Sequence, residues 1–255
     1  MSTHLADHHT VLFQGICLRE ILAVAAASLG AVLAVGFRKI SHFWLCVLIS
    51  FAAGALLSVS FLDIFPETFE LVGIMGGLLS AGSGYLLFFL ITRFVFHICP
   101  ACAATHTEVN FKAVTAGMVV ALAVHSFMDG LAIFSGSVAG APIGVPILLA
   151  VVFHKFPEGM ALALVARSSG MTRRAAFLVA FGLEGITTLA GGIVGYFMLS
   201  PAVPQWIGYV LGHVAGGFVF LVIHALLSEA IKHHPKSTLL AAFVGAASVA
   251  AVGLL

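Results

Sequence analysis

Charge is what this chain has least of. Only 8% of its 255 residues are Asp, Glu, Lys or Arg, against 61% hydrophobic, and the mean hydropathy is +1.16. A soluble domain carries roughly 25% charged residues, so most of this sequence has no face that requires water, and a soluble globular fold is excluded. The net charge of +1 argues neither for nor against an acidic partner, and no nucleic-acid partner is expected of such a membrane-type chain. Cysteine is sparse as well. Cys17, Cys46, Cys99 and Cys102 are too few and too scattered for the dense pattern of a secreted disulfide scaffold, and no disulfide is expected. The N-terminal MSTHLADHHT lacks a basic leader region and a small-residue cleavage site, so the first apolar segment reads as a retained span. Also missing is HExxH, the pairing of metal ligands and general base that an intramembrane metal hydrolase would favour.

What is present is a series of runs, each apolar on every face for about twenty residues, which is the length an α-helix needs to cross a bilayer core. Strands of a membrane barrel would alternate apolar and polar residues instead. The fold class is therefore all-α polytopic, a single transmembrane domain over residues 1–255. About eight spans are expected, near 16–37, 42–65, 71–96, 113–136, 143–167, 175–199, 207–230 and 237–255. Residues 1–15 would form an external tail, in which His4, His8 and His9 could hold metal weakly but whose small polar residues favour a flexible segment. Pro66 is expected to close the second span.

Every Lys and Arg except Arg19 and Lys155 falls near the loops that would be cytoplasmic if the N-terminus were outside. That is the positive-inside pattern of a multi-pass protein of the cell (inner or plasma) membrane with both termini external. Asp63, Glu67 and Glu70 then make an acidic outer mouth that would concentrate cations. The polar loop 97–111 would be cytoplasmic; its His97, Cys99, Cys102 and His106 read either as a thiolate and imidazole metal clip or as an ordinary loop.

The chemistry concentrates in two motifs on consecutive spans, HSFMDG from His125 and HKFPEG from His154. In each, a histidine precedes a carboxylate by four positions, so His125 shares a helix face with Asp129, and His154 with Glu158. Ionisable groups at this depth are expensive, and two such pairs have no packing explanation. Together they offer two nitrogens and up to four oxygens, a donor set for Zn²⁺, Fe²⁺ or neighbouring metals rather than Mg²⁺ or Ca²⁺. Pro157 should kink the helix at the site, and Gly130 and Gly159 permit close helix approach. Glu184, alone in the sixth span, is expected to join the cation path. His213 reads as a hydrogen-bonded packing residue. The same holds for His224 on its own, although with Glu229 it lies where a pathway through the seventh span would end.

An internal echo accompanies these motifs. AGALLSVSFLDIFPE from Ala53 aligns without gaps on AGGFVFLVIHALLSE from Ala215, placing Glu67 on Glu229. The two spans cross in opposite senses, so the echo implies an inverted repeat, spans 1–3 against 6–8, around spans 4 and 5.

HSFMDGLAIFSG resembles the fourth-span signature of the ZIP (Zrt/Irt-like) divalent metal transporters, and HKFPEGMALA is similar to the fifth-span signature of their bacterial members. FAAGALLSVSFLDIFPE is of the family's second-span type, and the span count and the histidine-bearing loop agree. The resemblance implies uptake of Zn²⁺, or of Fe²⁺, Mn²⁺ or Cd²⁺, into the cytoplasm, as transported substrate and not as cofactor. It further implies a homodimer in a lipid bilayer, with alternating access by sliding of one helix bundle on another. By position, His125, Asp129, His154 and Glu158 would form the principal site. Ser126, Lys155 and Glu184 occupy the positions where some members bind a second metal. Lys155 departs from the acidic residue expected there, and its ammonium would block that second ion. An intramembrane metal hydrolase and a cation-diffusion efflux carrier are the alternatives; the latter usually has fewer spans and a soluble C-terminal domain, which is absent here.

Overall fold

The computed structural model describes residues 2–36, 41–94, 111–199 and 204–253, and among them every element is helical. Seven helical stretches are long and apolar enough to cross a membrane. One of these, His42–Arg93, has 52 residues, far more than the roughly 20 a single crossing needs. It is turned at Gly73, whose φ of 73° and ψ of 166° interrupt the helix. That turn makes eight passes. Span 1 is Ser2–Gly36, span 2 covers 42–72, span 3 covers 74–94, span 4 is Phe111–Ala139 and span 5 is Ala141–Ser168. Span 6 covers 173–199, span 7 covers 204–233 and span 8 is Pro235–Gly253. Spans 4 and 5 are joined by the single residue Gly140 at φ 107°, a conformation that suits glycine.

Two details differ from the sequence reading. The first helix begins at Ser2 rather than near Ile16, so the stretch expected to be a flexible tail continues the helix of span 1. Pro66 does not close span 2, because the preceding turn is π-helical over Ser60–Ile64 and Phe65 N–H bonds back to the carbonyl of Ser60. The widened turn passes Pro66 without a break, and the helix continues to 72. Span 5 runs as one helix with Pro157 inside it.

The packing obeys the inverted repeat. Spans 1, 4, 5 and 6 form one bundle and spans 2, 3, 7 and 8 another, the two meeting where span 2 packs on span 5 and span 7 on span 4. Glycines set the approach in reciprocal pairs. A Cβ on Gly54 would overlap the carbonyl of Ala242, and one on Gly245 the carbonyl of Phe51. The equivalent contacts between spans 7 and 3 are Gly216 against Ala81 and Gly84 against His213. In the other bundle, Gly30 meets Phe156 and Gly159 meets Ala27, matched by Gly191 on Phe127 and Gly130 on Thr188. Each matched set keeps the same sequence offset, and the second π segment, Val222–Leu226, falls where the ungapped echo places Ser60–Ile64. Backbones in such contact gain dispersion that larger side chains would prevent, the main attraction available between helices in lipid.

Gly84→Ala should therefore lower thermal stability in detergent by about 1–3 kcal/mol, the range for overpacking a filled interface. Gly82→Ala, two residues away where a Cβ meets nothing within 4 Å, should be neutral or slightly stabilising. Equal midpoints for the two variants would show that the span 3–span 7 contact is not as close as described.

Candidate metal centre

His125 and Asp129 project from span 4, and His154 and Glu158 from span 5, which packs beside it. One ligand atom from each lies within 4.8 Å of all the others. His125, Asp129 and His154 are buried, while Glu158 keeps 13% of its surface open. His154 Nδ1 donates to the carbonyl of Ala150 at 2.8 Å, which leaves Nε2 with its lone pair directed at the cluster. That nitrogen is 3.2 Å from Asp129 Oδ2. His125 Nε2 is 3.0 Å from Glu158 Oε1 and 3.6 Å from Asp129 Oδ2, without the alignment of a hydrogen bond. Asp129 Oδ1 and Glu158 Oε2 have no hydrogen-bond partner. Orphaned lone pairs converging in a buried site are costly on their own and are satisfied by a cation.

A second polar group abuts the first. Lys155 Nζ, fully buried, donates to Glu184 Oε2 and Ser126 Oγ, each at 2.6 Å, and lies 2.9 Å from Asp129 Oδ2. Ser126 Oγ in turn donates to Glu184 Oε2 at 2.7 Å. The ammonium's three donors thus have three acceptors. Asp129 faces both groups and links them.

The other bundle covers the histidines. Phe218 of span 7 lies against both rings, with centroids 6.0 Å from His125 and 5.8 Å from His154, and Phe88 of span 3 approaches His125 at 5.9 Å. The sequence reading missed both phenylalanines. An apolar residue in an apolar run carries no signal, and only the placement of a third and seventh helix beside the fourth and fifth reveals them. Span 1 carries a further carboxylate, Glu20. It is buried, and its carboxylate lies where a Cβ on Gly192 would be.

The remaining candidates stand apart from the cluster. Asp63 is buried in the π segment of span 2, its Oδ2 without a hydrogen-bond partner. Glu67 and Glu70 follow, half-buried and exposed. His224 lies in the π segment of span 7 and bonds the Tyr85 hydroxyl at 2.6 Å. His213 bonds Ser83 Oγ at 2.8 Å, a packing contact between spans 3 and 7. The side chain of Glu229, and all of His97, Cys99, Cys102 and His106, lie outside the described residues.

The family model described as ZIP zinc transporter matches residues 104–253. Among similar proteins, the zinc transporter ZupT of Corynebacterium glutamicum is 26% identical, with 92% of this chain and 96% of that protein covered. ZupT of Clostridium perfringens is 29% identical over 93% of this chain and 94% of its own length. ZupT of Chlorobium luteolum is 27% identical over 95% and 98%.

The Lys155–Glu184 contact generates a prediction independent of any metal. Lys155→Met or Glu184→Gln alone leaves a buried group without its partner and should cost about 3–5 kcal/mol, whereas removing both is often nearly neutral. In metal-free detergent melts the double variant should be closer to wild type than either single one. Additive losses would deny the pair.

Proposed function

The chain belongs to the ZIP zinc transporter family, and on that premise we propose that it carries Zn²⁺, with Fe²⁺, Mn²⁺ or Cd²⁺ as lesser substrates, into the cytoplasm. Metal-cation transport through a multi-pass membrane protein, not enzymatic catalysis, is the activity of this family. The observation that carries the finer reading is the buried cluster of His125, Asp129, His154 and Glu158 at the meeting of two oppositely repeated bundles. Two imidazoles and two carboxylates replace the hydration shell of a borderline divalent ion, which favours zinc over calcium or magnesium.

Charge supports a single ion. With neutral histidines, the carboxylates of Asp129, Glu158 and Glu184 and the ammonium of Lys155 leave two negative charges, the complement of one divalent cation. Lys155 is a tethered cation where a second metal would otherwise sit, and it holds Glu184 and Ser126 for itself. Glu184 and Ser126 thereby act on the transported ion through Lys155 and Asp129.

The bundle arrangement supports alternating access. The ligands all belong to the bundle of spans 1, 4, 5 and 6, whereas Phe88 and Phe218, which cover the histidines, belong to the other. Movement of one bundle along the other would carry the site past these rings and expose it to each side in turn. Asp63, Glu67 and Glu70 would gather ions at the outer end, and His224 and Glu229 would line the inner one. The positive-inside pattern supports external termini in a plasma or inner membrane; a homodimer completes the proposal.

The test is uptake into proteoliposomes with Zn²⁺, Fe²⁺, Mn²⁺ and Cd²⁺ in parallel. Saturable flux, fastest or tightest for Zn²⁺, should be abolished in the His125→Ala/Glu158→Ala variant. Bound metal without flux in the wild type would sink the transport reading. A separate prediction concerns stoichiometry. Metal-soaked crystals of the wild type should show one anomalous peak at the centre, and Lys155→Asp should show two. Two peaks in the wild type would refute the tethered-cation role.

A further inference from the structure

We propose that His42, Cys46, His233 and His234 form a second transition-metal site, at the end of the molecule where spans 2, 7 and 8 meet. His42 and Cys46 are one turn apart at the start of the helix His42–Val59 and share a face. Cys46 Sγ lies 3.6 Å from His42 Nδ1 and 3.7 Å from Nε2. From the other side, His233 ends the helix Leu227–His233 and His234 follows it in a non-helical conformation (φ −141°, ψ 62°) before span 8 begins. The His42 ring centroid is 4.8 Å from that of His233 and 5.7 Å from that of His234. Phe43 packs edge-on against His234 at 5.2 Å and limits its rotation.

The ring-centroid spacings are those of a tetrahedral site, whereas Sγ lies at the edge of the His42 ring, nearly equidistant from its two nitrogens, so His42 has to turn about its side-chain bonds to share an ion with Cys46. Zn–S and Zn–N bonds of about 2.3 and 2.0–2.1 Å place S and N roughly 3.5 Å apart, and put the centroids of two ligating imidazoles roughly 5 Å apart. One thiolate with two or three imidazoles is a borderline-to-soft donor set, selecting Zn²⁺ or Co²⁺ over Mg²⁺ and Ca²⁺. Cys46 is buried at 1% exposure while His233 is open to solvent, so the site has an anchored ligand at its base and an accessible one at its rim. Lys232 and Lys236 belong to the same short segment and repel an incoming cation. The site is therefore a weak, exchanging one, unlike the enclosed carboxylate cluster at the centre. It lies at the opposite end of span 2 from Asp63, where an ion leaving the central site for the cytoplasm would emerge. That receiving role rests on the orientation proposed above; the binding site does not.

The test uses Co²⁺ with the full-length chain in detergent. His125→Ala/Glu158→Ala removes the central site, and Cys17→Ser, Cys99→Ser and Cys102→Ser leave Cys46 as the sole thiol. Co²⁺ should produce a near-ultraviolet thiolate-to-cobalt charge-transfer band with tetrahedral visible absorption, saturating at one ion per chain. Cys46→Ser should abolish the band. His233→Ala/His234→Ala, in a segment whose first histidine is exposed, should weaken Co²⁺ binding by about tenfold or more. Absence of the band, or an affinity unchanged by His233→Ala/His234→Ala, would overturn the proposal. The latter comparison repeated with only Cys99→Ser and Cys102→Ser covers the case in which the multiple variant does not fold. None of these readouts depends on flux, so loss of transport and loss of this site are scored separately.

Discussion

A medium that cannot solvate charge requires every charge within it to be answered by another, and the centre of this bundle is arranged by that requirement. Asp129 is the residue on which the arrangement turns. Its Oδ2 lies within 3.6 Å of His125, His154 and Lys155. It therefore belongs both to the prospective coordination shell and to the ammonium group beside it. A metal ion bound there would compete with Lys155 for the electron density of the same carboxylate. On the proposed reading, the strength with which the ion is held would be set by a residue that never touches it, and Ser126 and Glu184 would matter because they share the ammonium's demand. A binding site for a transported ion has to release its cargo, and shared coordination of this kind limits affinity without removing ligands.

Around that centre the helices approach as closely as backbones allow, and they do so twice over. The backbone contacts of Gly54, Gly245, Gly30 and Gly159 have their counterparts in those of Gly216, Gly84, Gly191 and Gly130. The motifs at the core are part of the same pattern, since His125, Ser126, Asp129 and Gly130 correspond to His154, Lys155, Glu158 and Gly159 at one offset. The bundles that result are held internally by these backbone contacts, and the surface between them carries the rings of Phe88, Phe218, His125 and His154.

Much of this was legible in the sequence, for identifiable reasons. Histidine and carboxylate at helical spacing in apolar runs stand out because the surroundings are uniform, so the four clustered side chains and the spans bearing them could be read directly. The ungapped echo from Ala53 and Ala215 was readable for the same reason, and its two π segments fall in register. What stayed hidden depends on contacts distant in sequence. Phe88 and Phe218 are two among many phenylalanines until helices 3 and 7 are set beside the histidines. His42 and His233 lie at opposite ends of the chain's second and seventh spans, and no local pattern joins them. Pro66 was misread because a proline ordinarily ends a helix, and a π turn before it is a rare remedy that composition does not announce.

Of the three places where the core repeat fails, Met128 against Pro157, Asp129 against Glu158 and Ser126 against Lys155, only the last changes charge. In a perfectly repeated chain, exchanging the conformations of the two halves would return the same molecule turned over, and its two end states would be degenerate. Lys155 and Glu184, standing against Ser126 and Ala23, lift that degeneracy, because one half carries a buried ion pair that the other lacks and the two cannot trade places at equal free energy. A preference between the two sides of the membrane would then reside in that ion pair, while the matched glycine contacts keep the scaffold around it symmetric.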